Sequence, residues 1–198
     1  MNDFLTIQNA TDGLYKEKGS KFIAFAFPLR SEEEIGKYLE ELKTKYHDAR
    51  HHCYAWVYGL SEQKWRANDD GEPSHSAGDP ILGQIRSFSL TNVLVVVVRY
   101  FGGTKLGVGG LINAYKTSAR AALEQADTRI LVEKSALTLE FGYDDIRAVE
   151  KLISDYKLEA QRTYHEKCHV EALIKKSDVD AFLQATSDLY NIKIEIVP

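Results

Sequence analysis

The chain has 198 residues, 44% of them apolar and 27% charged, with a formal net charge of −4. This composition excludes a disordered chain and a molecule that is basic throughout, as a general nucleic-acid coat would be. Two cysteines far apart in sequence, Cys53 and Cys168, exclude a disulfide scaffold and suit a reducing compartment.

In chain order, Phe22 to Phe27 reads as a strand that Pro28 ends. Ser31-Glu32-Glu33-Glu34 has the spacing of a capping box, in which the hydroxyl and the last carboxylate each satisfy a free backbone N–H. A helix is then expected to about Tyr46, with Ile35, Leu39, Leu42 and Tyr46 on one stripe. His51 to Tyr58 reads as a strand. Asp79-Pro80 reads as a helix start, with the acid as N-cap and proline at the first helical position. Val93 to Phe101 is apolar at almost every position, the pattern of a strand covered on both faces. Gly110 to Ala126 is an alanine-rich helix with Leu111, Tyr115, Ala119, Ala122 and Leu123 facing inward.

The rhythm changes near Val132 to Ser135. Residues 1–132 carry 16 basic and 16 acidic side chains, whereas residues 133–198 carry 9 and 13, the whole of the net charge. Two domains, 1–132 and 133–198, are therefore expected. In the second, Leu137 to Phe141 reads as a strand and Asp144 to Tyr156 as a helix. Glu159 to Tyr164 and Cys168 to Ile174 read as strands, Asp178 to Tyr190 as a helix and Ile192 to Val197 as a last strand. That βαββαβ order is the split-βαβ, ferredoxin-like motif, which hosts many functions and implies none. The fold class expected is α+β. The longest apolar run, Val93 to Val98, is far short of a membrane helix, and Met1-Asn2-Asp3 opens no signal segment. A cytoplasmic protein is the expectation.

The most informative stretch runs from Val98 to Leu111. Gly102, Gly103, Gly107, Gly109 and Gly110 separate a buried strand from a helix. Glycines permit positive φ and close approach, and the free N–H groups of a helix start attract an anion. Arg99 and Lys105 add charge, and Asn113, Lys116 and Arg120 share one outward stripe of the helix. The spacing is not that of a Walker loop, because Val108 stands where the lysine belongs, nor is it G-x-G-x-x-G. A glycine-rich turn that only packs tightly is the alternative.

Asn68 to Pro80 gathers Asp69, Asp70, Glu72 and Asp79 with Ser74, His75 and Ser76, but without calcium-loop spacing. Turn chemistry explains Asp70-Gly71 and Glu72-Pro73 equally well, so this loop is read as accessory, through Asp69, Asp70, Glu72 and Ser74. Ser74, Ser76 and His75 are neighbours in one loop and make no triad. Strand alternation puts His52, Tyr54 and Trp56 on one face, where they would either stack bases or pack a core. His51 and Cys53 share the other face, but two ligands are not a metal site, and no metal or cofactor is expected.

Ser20-Lys21-Phe22-Ile23-Ala24, Asp69-Asp70-Gly71-Glu72-Pro73-Ser74 with Ala77-Gly78, and above all Val97-Val98-Arg99-Tyr100-Phe101-Gly102-Gly103 with Lys105-Leu106-Gly107 resemble the YigZ/IMPACT family. One departure is His75-Ser76, where the family pattern has a glycine and a small hydroxyl residue. The resemblance implies a first domain similar to the second domain of the small-subunit ribosomal protein S-five class. It implies a second domain similar to the last domain of elongation factor G. Eukaryotic relatives regulate translation by interfering with activation of a stress kinase, using an additional N-terminal domain that this chain has no room for. Beside a protein-binding module that uses the C-terminal sheet, two readings stand at this point. One is a non-enzymatic, translation-associated factor that contacts RNA or the ribosome through the glycine-rich loop and Lys105, Lys116 and Arg120. The other is an enzyme or sensor for a small phosphorylated ligand held at Gly102 to Gly110.

Overall fold

The structure is a computed structural model that describes residues 4–197, and these divide into two compact units, 4–131 and 132–197. The first unit opens with β1 (Phe4–Ile7), β2 (Thr11–Glu17) and β3 (Ser20–Pro28), followed by α1 (Glu33–Lys45). It continues with β4 (His51–Tyr58), β5 (Lys64–Asn68), α2 (Gly78–Ser87), β6 (Val93–Tyr100), α3 (Gly107–Leu123) and β7 (Thr128–Leu131). Five strands form an antiparallel sheet in the order β2-β3-β6-β4-β5, while β1 pairs with β7.

The central strand β6 explains the apolar run. Val93, Val95 and Val97 face α2 and α3, whereas Leu94 and Val96 face α1. All are fully buried, and each contributes roughly 1.5–3 kcal/mol by leaving water. Helices on both faces, not parallel pairing, make this antiparallel strand apolar throughout.

Local chemistry at three helix starts differs from the sequence expectation. Glu34 accepts the Arg30 backbone N–H at 2.7 Å and α1 has no side-chain cap, so Ser31 to Glu34 does not close a capping box. At α2 the cap is not Asp79: helix geometry already begins at Gly78, and Asp69 reaches across to accept the N–H groups of Ala77 and Gly78. A partner distant in sequence displaces the local one. Helix α3 begins at Gly107, three residues before the expected Gly110.

Of the two alternatives for His52, Tyr54 and Trp56, the packing favours the core rather than stacking on bases. Tyr54, Trp56 and Tyr58 pack against the cluster of Leu29, Leu42, Leu94 and Val96 beneath α1, and His52 is itself buried. The helix covers this face, so it offers no open platform for bases.

The second unit runs β8 (Lys134–Phe141), α4 (Ile146–Asp155), β9 (Glu159–Tyr164), β10 (Cys168–Lys175), α5 (Val179–Ala185) and β11 (Lys193–Val197). Its sheet is antiparallel in the order β11-β8-β10-β9, with a core of Leu137, Leu139, Phe141, Val149, Ile153, Val170 and Phe182. α5 is shorter than the periodicity suggested. The Thr186 hydroxyl turns back to the carbonyls of Phe182 and Leu183 just past its end, a bond that competes with continued helix. No helix among the described residues is long and apolar enough to cross a membrane.

Candidate functional site

The sheet brings four segments of the first unit together: the end of β6, the glycine-rich loop 101–106 with the start of α3, the acidic loop after β5, and the start of β4. Gly102 is required where the loop crosses the β2–β3 turn. A Cβ there would lie 1.9 Å from the Gly19 carbonyl carbon, and the Gly102 N–H donates to Ser20 Oγ at 3.1 Å. Its close approach is therefore to the chain's own backbone rather than to a ligand. Gly103 and Gly107 take positive φ, +87° and +73°, which side chains rarely adopt. Gly109 does not: it lies inside α3 with open space around it, and nothing in its surroundings demands a glycine. Gly110 is also helical, and a Cβ on it would meet Leu106. Leu106, at the N-cap, provides no side-chain bond, so the first N–H groups of α3 have no side-chain cap among the described residues.

The acidic loop separates into structural and site-facing members. Burial opposes ionisation of Asp69, but N–H donors from Gly78, His75 and Ala77 outweigh it and hold the carboxyl below its usual range. Asp70 Oδ2 accepts the His52 N–H at 2.6 Å. Both aspartates thus fix backbone, a role of the accessory kind. Ser74 is exposed, and His75 pairs with Asp79 at 2.6 Å on the surface.

Glu72 behaves differently. Its Oε1 accepts from Arg99 Nη1 at 2.5 Å and from the Tyr115 hydroxyl at 2.8 Å. The Cys53 thiol donates to the Asp69 carbonyl at 3.0 Å and lies 3.3 Å from the same hydroxyl. Burial pushes the Tyr115 hydroxyl and the Cys53 thiol up, so both stay protonated. Arg99 and Glu72 side chains are only 7% and 4% exposed. His51 Nδ1 stands 2.8 Å from the Asp70 carbonyl, and since a carbonyl only accepts, Nδ1 carries the proton.

Above this network lies a pocket of about 480 Å³. Its charged and polar lining is Arg50, His51, Glu72, Arg99 and Lys105, and its apolar lining is Pro73, Phe101, Leu106, Val108 and Leu111, with Gly107 between them. Glu72 and the glycine-rich loop therefore meet in one place. Asn113, Lys116 and Arg120 lie outside the pocket lining on the exposed face of α3, where Arg120 pairs with Glu124 at 2.7 Å. Sequence reasoning missed Arg50, Phe101 and the network role of Tyr115. The usable signal for the last was a tyrosine where the inward stripe needed only bulk.

A sequence model described as the Impact N-terminal domain matches residues 18–123, more than half of the chain. The chain belongs to the IMPACT family. An IMPACT family member from Haemophilus influenzae is 31% identical over 92% of this chain and 90% of its own. The Bacillus subtilis IMPACT family member YvyE is 30% identical over 99% and 91%. Among solved structures, a crystal structure of a hypothetical protein superposes with a TM-score of 0.72 at 28% identity, covering 100% of this chain and 97% of the other. Every residue lining the pocket falls within the IMPACT match.

Proposed function

We propose that this IMPACT protein is a non-enzymatic, translation-associated factor that contacts RNA through the pocket at the start of α3. The observation that carries the reading is the convergence of Arg50, Arg99 and Lys105 with an uncapped helix start beside Phe101, which is 49% exposed. Cations and a helix N-terminus suit phosphate, and an exposed aromatic ring suits an unstacked base. Lys116 extends the cationic surface along α3, whereas Arg120 is already matched by Glu124. The groups under the pocket are committed to one another, Glu72 to Arg99 and Tyr115, which favours binding over acid–base chemistry. The antiparallel βαββαβ topology of the second unit supports its likeness to ferredoxin-like domains of translation factors.

The test is the salt dependence of binding to a short single-stranded RNA. Two or three phosphate contacts give a log–log slope of about −1.4 to −2.1. Binding with no salt dependence, or none at all, sinks the proposal. A second reading, a small phosphorylated ligand, is favoured by the pocket's volume of about 480 Å³, which lies in the usual range for small-molecule sites.

A further inference from the structure

Resting on the RNA reading, we infer that the pocket recognises the terminal phosphate of an RNA strand, with the terminal base against Phe101, rather than an internal stretch of backbone. Arg99 lines the pocket while only 6% exposed, and its Nε is buried without a hydrogen-bond partner among the described residues. Nearly all buried polar groups find partners, so an unmatched cationic donor beside a pocket marks the place of an acceptor that arrives with a ligand. The uncapped N–H groups of α3 border the same space through Gly107 and Val108.

Charge distinguishes an end from a middle. Arg50, Arg99 and Lys105 bring three positive charges to the pocket and Glu72 one negative charge, a surplus of two. A phosphomonoester carries about −1.5 to −2 at neutral pH, while a diester carries one charge. The surplus matches the monoester. The shape agrees, since a concave site is reached by a chain end more readily than by a strand that must enter and leave. The guanidinium of Arg99 stands 5.7 Å from the Phe101 ring, so phosphate and base would be held on adjoining walls.

The experiment compares one short RNA with a hydroxyl or a phosphate at its 5′ end, and again at its 3′ end, labelled at the opposite end. Adenosine 5′-monophosphate and inorganic phosphate are added as competitors. One phosphorylated end should raise affinity about tenfold or more, as expected of new charge-assisted bonds. Lys105→Ala and Arg50→Ala, both surface changes, should weaken both RNAs, as the loss of a phosphate contact does, and bring the ratio of phosphorylated to hydroxyl affinity close to one. Thermal unfolding of each variant shows that the fold is intact. Equal binding of phosphorylated and hydroxyl RNA overturns the end-recognition inference and leaves the RNA reading standing. Binding of the mononucleotide or phosphate without binding of either RNA overturns both in favour of a small ligand. Absence of all binding also overturns both.

Discussion

Glu72→Ala tests whether the network beneath the pocket is desolvated. The substitution leaves the Arg99 guanidinium, 7% exposed at its side chain, without its counter-charge, and the Tyr115 hydroxyl without its acceptor. Removing one partner of a buried ion pair costs about 3–5 kcal/mol, because the remaining charge stays out of water. Against a total stability of about 5–15 kcal/mol that is a large share. For a unit of this size it lowers the midpoint of thermal unfolding by about 10–20 °C. Trp56 and Trp65 are the two tryptophans of the chain and both lie in the first unit. Their fluorescence during urea unfolding therefore reports that unit alone. Replacing both partners, Glu72→Met with Arg99→Met, should recover at least half of the loss, since no charge is then stranded. A loss below about 1 kcal/mol for Glu72→Ala, the size of an exposed pair, refutes the reasoning. Water would then reach the guanidinium, and Arg99 would not be the buried anchor of the site.

Gly102→Ala should destabilise the first unit by about 3 kcal/mol or more, because its Cβ meets Gly19 backbone at 1.9 Å. Gly109→Ala should be neutral or stabilising by up to about 1 kcal/mol, since it sits in α3 with nothing near; urea midpoints in the opposite order would overturn both. Cys53 and Cys168 are buried, and burial keeps the Cys53 thiol protonated. Native protein at pH 8 should therefore yield no fast reaction with a thiol reagent, and two thiols once urea is added. His52 is buried with Nε2 unpartnered among the described residues; burial holds its pKa below the ordinary value, aided by Lys43 and opposed by Asp70. Below about pH 6.5 the unfolded chain takes up a proton that the native state refuses until the lower native pKa. Stability should fall across that window as pH drops, and His52→Leu should flatten the slope; an unchanged slope would assign the effect to other groups.

The parts of the fold legible in the sequence are those with a strong period. Cys168 to Lys175 alternates buried and exposed at every step, and α3 carries its stripe from Leu111 to Leu123. Strands β1, β5 and β7 are not predicted because they are four or five residues long, too short to show alternation, and β2 is not because Gly13 is its one buried residue. The start of α2 was misread for a different reason. A local pattern, Asp79-Pro80, competed with a contact to Asp69 that only the folded chain creates. The glycine-rich loop was legible as a special segment, but the reason for each glycine was not. Gly102 answers to Gly19, more than eighty residues away, and no spacing within the loop shows it.

The candidate site divides along the same line. Charge at Arg99, Lys105 and Glu72 is visible in the sequence; the commitment of Glu72 to Arg99 is not, because it depends on the acidic loop folding over the end of β6. Tyr115, Glu72 and Arg99 join α3, the loop and β6 through consecutive hydrogen bonds, and Cys53 ties β4 to the same loop through the Asp69 carbonyl. Such a buried network is costly when one member is missing and rigid when all are matched. Its members come from elements that already pack around Phe22, Ala55, Val97 and Leu111, so the apolar core sets their spacing before any ligand arrives. Arg99 is held from below by Glu72 and flanked by Phe22, at 5.4 Å from its ring. Its guanidinium is therefore positioned in advance, and an arriving anion need order only the exposed Lys105 and Arg50 side chains. Ordering each costs roughly 0.5–1.5 kcal/mol, so the buried arginine supplies orientation while the two exposed cations tune affinity.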